Sequence, residues 1–199
     1  METEIEAKFL DVNTIELRAN LKQIGAVLEH SEHLMKRKNF DDCDCRLRKV
    51  GGWVRLRDEG DKVTLSYKQL NDRTLHGTKE VTTIVENFDK TNEFLEAIGF
   101  RERSYQETRR EKWLLGESEI TIDTWPWIPS FVEIESPAEE IIKDLTRRLG
   151  FKWEEALHGS VETAYQKYYD VTEDEVDDWE SITFIPVPEW LEKKRKPLL

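Results

Sequence analysis

The stretch Glu4-Ile5-Glu6-Ala7-Lys8-Phe9 decides how the chain is read. At a period of two, Glu4, Glu6 and Lys8 share one face and Ile5, Ala7 and Phe9 the other. Residues on one face stand about 7 Å apart per step of two. One such strand is ordinary, because antiparallel sheets commonly face water on one side. Here the habit recurs. Trp53 to Arg57 sets Arg55 and Arg57 together, Val63 to Lys68 groups Thr64, Ser66 and Lys68, and Lys79 to Val85 groups Glu80, Thr82 and Ile84. Glu119 to Asp123 groups Glu119, Thr121 and Asp123, and Phe131 to Glu135 repeats the carboxylate pair as Glu133 and Glu135.

Working outward, further strands are expected at His33 to Phe40 and at Asp44 to Val50, the latter with Arg46 and Arg48 on one face. Arg101 to Leu115 reads as one bent strand or two, and alternation pairs Arg110 with Lys112 rather than Arg109. Three helices are expected, each closed by glycine. The first is capped by Asp11 or Asn13 and runs to Gly25 with Ile15, Leu21 and Ile24 inward. The second spans Asp89 to Gly99 with Phe94, Leu95 and Ile98 inward. The third starts with a capping box at Ser136-Pro137-Ala138-Glu139 and runs to Gly150 with Ile141, Ile142, Leu145 and Leu149 inward. Trp125 to Ser130 reads as a rigid aromatic connection, and Ala164 to Tyr169 as a last short strand.

About eight neighbouring strands with three helices predict an antiparallel α+β fold that closes into a barrel and so removes its sheet edges. Its strands would turn apolar faces outward to the helices and charged faces inward. The expected domain covers residues 1–170, and an acidic, Pro-rich tail covers 171–199, placed on the surface or partly disordered.

The 199 residues are 38% hydrophobic and 36% charged, but seven Trp, eight Phe and five Tyr argue for a packed core. A net charge of −12 disfavours duplex nucleic acid and anionic membrane as partners, while 30 Lys and Arg still allow a local basic pocket. No apolar run is long enough to span a bilayer, and the acidic opening lacks a signal-peptide profile. Cys43 and Cys45 read as reduced thiols, which places the protein in the cytoplasm. His30, His33, His76 and His158 lack metal-ligand spacing, and there is neither a nucleophile elbow nor a Gly-rich phosphate loop.

Carboxylates at this spacing are hard oxygen donors for Mg²⁺ or Mn²⁺, and forked guanidinium and point-charge ammonium groups suit phosphate oxygens. A mixed site of this kind suits a polyphosphate that carries its own metal.

Taken together, Glu4-x-Glu6-x-Lys8, Arg55-x-Arg57, Lys68 and Glu133-x-Glu135 resemble the CYTH domain, or triphosphate tunnel metalloenzyme, superfamily over about residues 1 to 170. The resemblance implies an eight-stranded tunnel with helices outside. It assigns Glu4, Glu6, Asp123, Glu133 and Glu135 to metal. It assigns Lys8, Arg55, Arg57 and Lys68 to catalysis and phosphate binding, with Arg110 and Lys112 as further substrate contacts and Glu80 and Lys167 as weaker candidates. The implied substrate is ATP or another triphosphate. Compact size and motif order incline the reading to a class IV adenylate cyclase, which forms cyclic AMP and pyrophosphate. The alternatives are a triphosphatase that releases orthophosphate from tripolyphosphate, thiamine triphosphate or a nucleoside triphosphate, and a non-catalytic polyphosphate or nucleotide binder. Trp125-Pro126-Trp127-Ile128-Pro129 departs from the Gly-rich hairpin expected in the cyclases, which bears on nucleobase recognition. A further rival is an all-β scaffold with an apolar core and charged outer faces. The outer faces of the barrel are where a homodimer would form.

Overall fold

In the computed structural model, which describes residues 1–197, the opening segment carries two short strands rather than one. β1 (Glu2–Thr3) pairs antiparallel with β6 (Thr78–Val85), and β2 (Glu6–Phe9) pairs antiparallel with β9 (Phe131–Glu135). Between them lie β3 (Val27–Asp42), β4 (Gly52–Asp58), β5 (Val63–Leu70), β7 (Phe100–Leu115) and β8 (Ser118–Thr124). The strand order β1-β6-β5-β4-β3-β7-β8-β9-β2 begins and ends on the same segment. The sheet therefore closes on itself, and the expected strand Glu4–Phe9 is split because it serves two edges. The change of partner leaves no gap. The Glu4 amide donates to the Thr78 carbonyl at 3.0 Å, and the Ile5 carbonyl accepts from the Ser136 amide at 3.1 Å.

The closed sheet is apolar outside. Ala7, Phe9, Ile120, Ile122, Val132 and Ile134 pack with Leu17 and Leu21 of α1 (Thr14–Gln23) and with Ile142 and Leu145 of α3 (Glu139–Arg148). α2 (Phe88–Ala97) sets Leu95 against Phe40 and Leu56. Burying each such side chain contributes about 1.5–3 kcal/mol, so the helices hold the strands' outer faces and leave the inner faces to charged groups. Asn13 caps α1 by accepting from the Ile15 and Glu16 amides. The inward stripes are narrower than the spacing predicts, since Ile15, Phe94, Ile98 and Ile141 are exposed and a barrel wall covers only one side of each helix.

Several expectations are corrected. Asp44 to Val50 is a turn ending in a 3-10 helix at Arg48–Val50. Asp41 accepts from the Leu47 and Arg48 amides, and Asp42 from the Asp44 and Arg46 amides, so short acidic side chains outcompete a ladder. The turn closes at Gly51 (φ +70°), where a Cβ would come within 2.2 Å of the Leu70 carbonyl oxygen. The capping box at Ser136 does not form. Ser136 Oγ bonds Ser118 Oγ at 2.9 Å, and Ala138 takes the cap position without a side-chain bond. The expectation of one bent strand or two at Arg101 to Leu115 stands, since this stretch lies within one 16-residue strand.

Ala164 to Tyr169 is not a strand but falls mostly in α4 (Glu162–Tyr168). Ala164, Tyr165, Tyr168 and Tyr169 are buried at a helical spacing and receive the aromatic connection. Tyr165 Oη donates to the Pro126 carbonyl at 2.9 Å and Tyr169 Oη to the Trp127 carbonyl at 2.7 Å. The tail, expected on the surface or partly disordered, is folded in its described residues. It forms α5 (Glu173–Asp177), β10 (Ser181–Ile182), parallel to β7, and α6 (Glu189–Glu192). Trp179 packs edge-on against Trp127, Tyr165 and Trp190, and this aromatic content outweighs the acidic composition that suggested disorder. Among the described residues, no helix is long and apolar enough to cross a membrane.

Candidate functional site

The barrel encloses a cavity of about 590 Å³. Its lining includes Glu4, Glu6, Lys8, Arg55, Arg57, Lys68, Arg110, Lys112, Glu133 and Glu135. The tunnel face thus gathers side chains from β2, β4, β5, β7 and β9, which the closed sheet sets around one interior. Asp123 is the exception among the residues expected to hold metal. It is buried behind the lining, where it anchors Arg110.

At the centre, opposite charges are matched. Lys8, 1% exposed, sets its Nζ 2.7 Å from Glu133 Oε1 and 3.8 Å from Glu6 Oε1, and donates to the Gly159 carbonyl at 3.2 Å. Arg110 forks onto Asp123 with both contacts at 2.6 Å and reaches Glu133 Oε2 at 2.9 Å. Burial alone would lower Lys8, but Glu133 and Glu6 overcome it and hold the ammonium above its usual range. Against the same burial, Lys8 and Arg110 hold Glu133 well below the carboxylate range. Burial pushes Asp123 up, opposed by Arg110.

Beside this group is a row of like charges. The register places Glu135 directly opposite Glu6 on β2 and opposite Glu119 on β8. Facing side chains on neighbouring strands have Cβ atoms about 4.5–5.5 Å apart, so the three carboxylates repel. Burial, then Glu119 and Glu6, push Glu135 up to about 7. Glu4, at the partner change between β1 and β2, is also raised, first by burial and then by a hydrogen bond to Glu80. Its Oε1 meets Lys68 Nζ at 2.9 Å, while its buried Oε2 has no partner. Like-charged oxygens with spare acceptor capacity form a donor set suited to a hard divalent cation. Among the described residues, no three His, Cys, Asp or Glu side chains are already gathered in metal-binding geometry.

The β3–β4–β5 side is basic. Arg55 meets Glu80 at 3.2 Å, and Arg57 donates to Glu59 Oε1 from Nε at 2.9 Å and from Nη2 at 2.6 Å. Lys68 also reaches Glu80 at 3.1 Å. Burial, then Arg55 and Arg110, lower Arg57 to about 10. Lys112 bridges Glu119 at 2.5 Å and Glu29 at 3.0 Å. At one end of the tunnel, Arg48 pairs with Asp174 at 3.1 Å and with Asp178, and Arg73 pairs with Glu173, so α5 is tied to the rim.

Arg110 lines the tunnel, whereas Arg109 turns away to stack on Phe184 at 4.7 Å. Glu80 lines the tunnel, whereas Lys167 is exposed on α4 and does not. His30 and His33 lie at the lining, with His30 3.7 Å from Asp61. Cys43 and Cys45 are free thiols, and Arg103 donates to Cys45 Sγ at 2.9 Å. Sequence reasoning missed Glu59, Glu119 and Arg37 as lining residues. Glu119 was already on the charged face of its strand. Arg37 was hidden in the run Lys36-Arg37-Lys38, where charge alone does not show which residue points inward.

A closed antiparallel barrel with a charged interior defines a tunnel-type fold. The CYTH domain matches residues 2–171, and the chain belongs to that family, one of triphosphate tunnel metalloenzymes. Among curated proteins, no sequence matches the chain. Solved structures share the fold at low identity. A proposed adenylate cyclase of Vibrio parahaemolyticus superposes with a TM-score of 0.72 at 17% identity, covering 83% of this chain and 98% of that one. The PH1012 protein of Pyrococcus horikoshii gives 0.64 at 22% identity, covering 77% and 93%. HpAC1 of Hippeastrum, a proposed adenylyl cyclase described as having a dominant triphosphatase activity, gives 0.57 at 15% identity, covering 89% and 95%.

Proposed function

We propose that the protein is a metal-dependent enzyme acting on the phosphate chain of a triphosphate, and that hydrolysis of the terminal phosphoryl group is its principal reaction. The observation that carries this reading is the division of the tunnel lining. Glu6, Glu119 and Glu135, facing one another with only Lys112 on Glu119 and Lys8 at 3.8 Å from Glu6 to offset them, stand on one side of the Lys8–Glu133–Arg110 group, and Arg55, Arg57 and Lys68 stand on the β4–β5 side. Hydrolysis needs a held phosphate chain, a cation site and water, and this lining supplies the first two.

In this reading Arg55, Arg57 and Lys68 exchange their carboxylate partners for phosphate oxygens, and Lys8 and Arg110 take oxygens nearest the centre. Glu4, Glu6, Glu133 and Glu135 would hold Mg²⁺ or Mn²⁺, with Glu119 as a further donor and Asp123 keeping Arg110 aimed. A divalent cation there would draw charge off the phosphoryl oxygens and lower the pKa of an adjacent water. Water would attack the terminal phosphorus, the bridging P–O bond would break with its electron pair leaving on the shortened chain, and the proton of the attacking water would pass to that departing oxygen.

A second reading is adenylate cyclisation, in which a ribose 3′-hydroxyl attacks the α-phosphate and pyrophosphate leaves. It draws on Trp53, Leu70 and Trp125, which give the lining apolar surface that could receive a base. Incubation with tripolyphosphate, ATP and thiamine triphosphate in Mg²⁺ or Mn²⁺ separates the readings. Orthophosphate supports hydrolysis, cyclic AMP with pyrophosphate supports cyclisation, and metal-dependent binding without turnover marks a binder. Glu6→Ala and Glu133→Ala should abolish turnover. Activity left intact in both would overturn the metal assignment.

A further inference from the structure

Arg37 is a buried tunnel arginine whose charge, among the described residues, meets no acidic partner. Lys8, Arg55, Arg57, Lys68 and Arg110 each pair with a carboxylate. Among the described residues, no carboxylate lies within ion-pairing distance of Arg37. It is 8% exposed, its Nη2 donates to Thr108 Oγ1 at 3.0 Å, and its Nε has no partner. The β3–β4 register sets it directly opposite Arg57, and its guanidinium lies over the Trp125 ring at 4.5 Å. Arg37 also lines the same cavity as Arg55 and Arg57.

A buried cation among like charges is expensive to keep, and an apolar replacement of similar size is often more stable. Burial, then Arg55 and Arg57, work against its charge. The Trp125 face and the Thr108 hydroxyl fix the plane of the guanidinium without neutralising it. What is missing from this corner is negative charge with several oxygens.

We propose that Arg37 is a further substrate-binding residue, forming with Arg55 and Arg57 a three-arginine subsite that receives a phosphoryl group of the bound chain. The inference rests on the reading of the tunnel as a triphosphate site and adds to it a strand, β3, that the opening motifs do not include. It also explains why the residue facing Arg57 is a second arginine rather than an acid.

The test uses the full chain with Arg37→Met and Arg37→Lys, measuring the melting temperature without ligand and the affinity for tripolyphosphate in Mg²⁺ by calorimetry. Arg37→Met should melt at or above the wild-type temperature and bind tripolyphosphate at least about 10-fold more weakly, the loss of one hydrogen bond to a charged group. Arg37→Lys, which keeps the charge and loses the fork, should fall between. A structural residue behaves oppositely. If Arg37→Met melts lower and binds as tightly as wild type, the subsite is overturned while the tunnel reading stands. Should Arg37→Met fail to fold, Arg37→Lys decides, and undiminished affinity with a wild-type melting temperature overturns the proposal. Wild-type protein that does not bind tripolyphosphate overturns both.

Discussion

The centre of the tunnel and the carboxylate row beside it use the same residue types to opposite effect. In the Lys8–Glu133–Arg110–Asp123 group every charge has a partner. In the Glu6–Glu135–Glu119 row the register sets acid against acid. The first arrangement holds a geometry, and the second keeps a repulsion that Lys112 on Glu119 offsets only in part and that a bound divalent cation would relieve. The interior is therefore a fixed pillar flanked by vacant charge, acidic on one side and, at Arg37, basic on the other.

The pillar gives the largest expected effect. Glu133→Ala leaves Lys8 and part of Arg110 buried without their shared acceptor, a change worth about 3–5 kcal/mol. The melting temperature should fall by on the order of 10 °C in metal-free buffer, as read by calorimetry. If the variant melts like wild type, the centre is not a pillar.

Glu59 tests the basic side. Burial opposes its ionisation, but Arg57 and Thr64 bring it down to about 2 from 4.5. Its folded value is depressed, so the stability it contributes is present above the unfolded pKa and is lost as pH falls toward 2. The loss should be roughly 2–3 kcal/mol, reduced by the cost of burying Arg57. Glu59→Gln should flatten that part of the stability–pH curve. An unchanged slope would remove the pair from the account.

The carboxylate row has the opposite sign. Glu135 is raised from 4.5 to about 7, so the folded state binds the extra proton and stability falls as pH rises through that window. Because Glu135 is exposed to the tunnel and its rim, the effect is about 1 kcal/mol after screening. Glu135→Gln should melt higher than wild type at pH 8 and lose the rise in melting temperature that Mg²⁺ or Mn²⁺ gives the wild type. A Mg²⁺ response equal to wild type would move the cation elsewhere.

The smallest effect belongs to the rim. Asp174 and Asp178, which pair with Arg48, are largely exposed, so replacing both by Ala should cost no more than about 1 kcal/mol in a denaturant titration. A larger loss would mean that these pairs hold α5 in place more than the Trp179 packing does.

Much of this was legible wherever one face of a strand repeats a charge. Arg55 with Arg57, and Glu133 with Glu135, report their side of the sheet through period two alone. The opening strand was legible as a wall of the barrel but not as its seam, because the split at Glu4-Ile5 depends on two partners 50 or more residues apart from each other, Thr78 and Ser136. Arg37 was hidden because Lys36 and Lys38 carry the same charge on the opposite face. Ala164 to Tyr169 was misread because a short aromatic run fits either period, and what decides it is the Trp125–Ile128 connection it packs against. The tail was misjudged because its acids are numerous while the few aromatics that fold it meet partners on distant strands.

The most direct test of the central claim is release of orthophosphate from tripolyphosphate by the full chain in Mg²⁺ or Mn²⁺, compared with Arg55→Ala and Glu6→Gln. The account predicts metal-dependent release by wild type, lost in both variants while their folds persist. No phosphate release, no cyclic AMP from ATP and no binding of tripolyphosphate by wild type would contradict it.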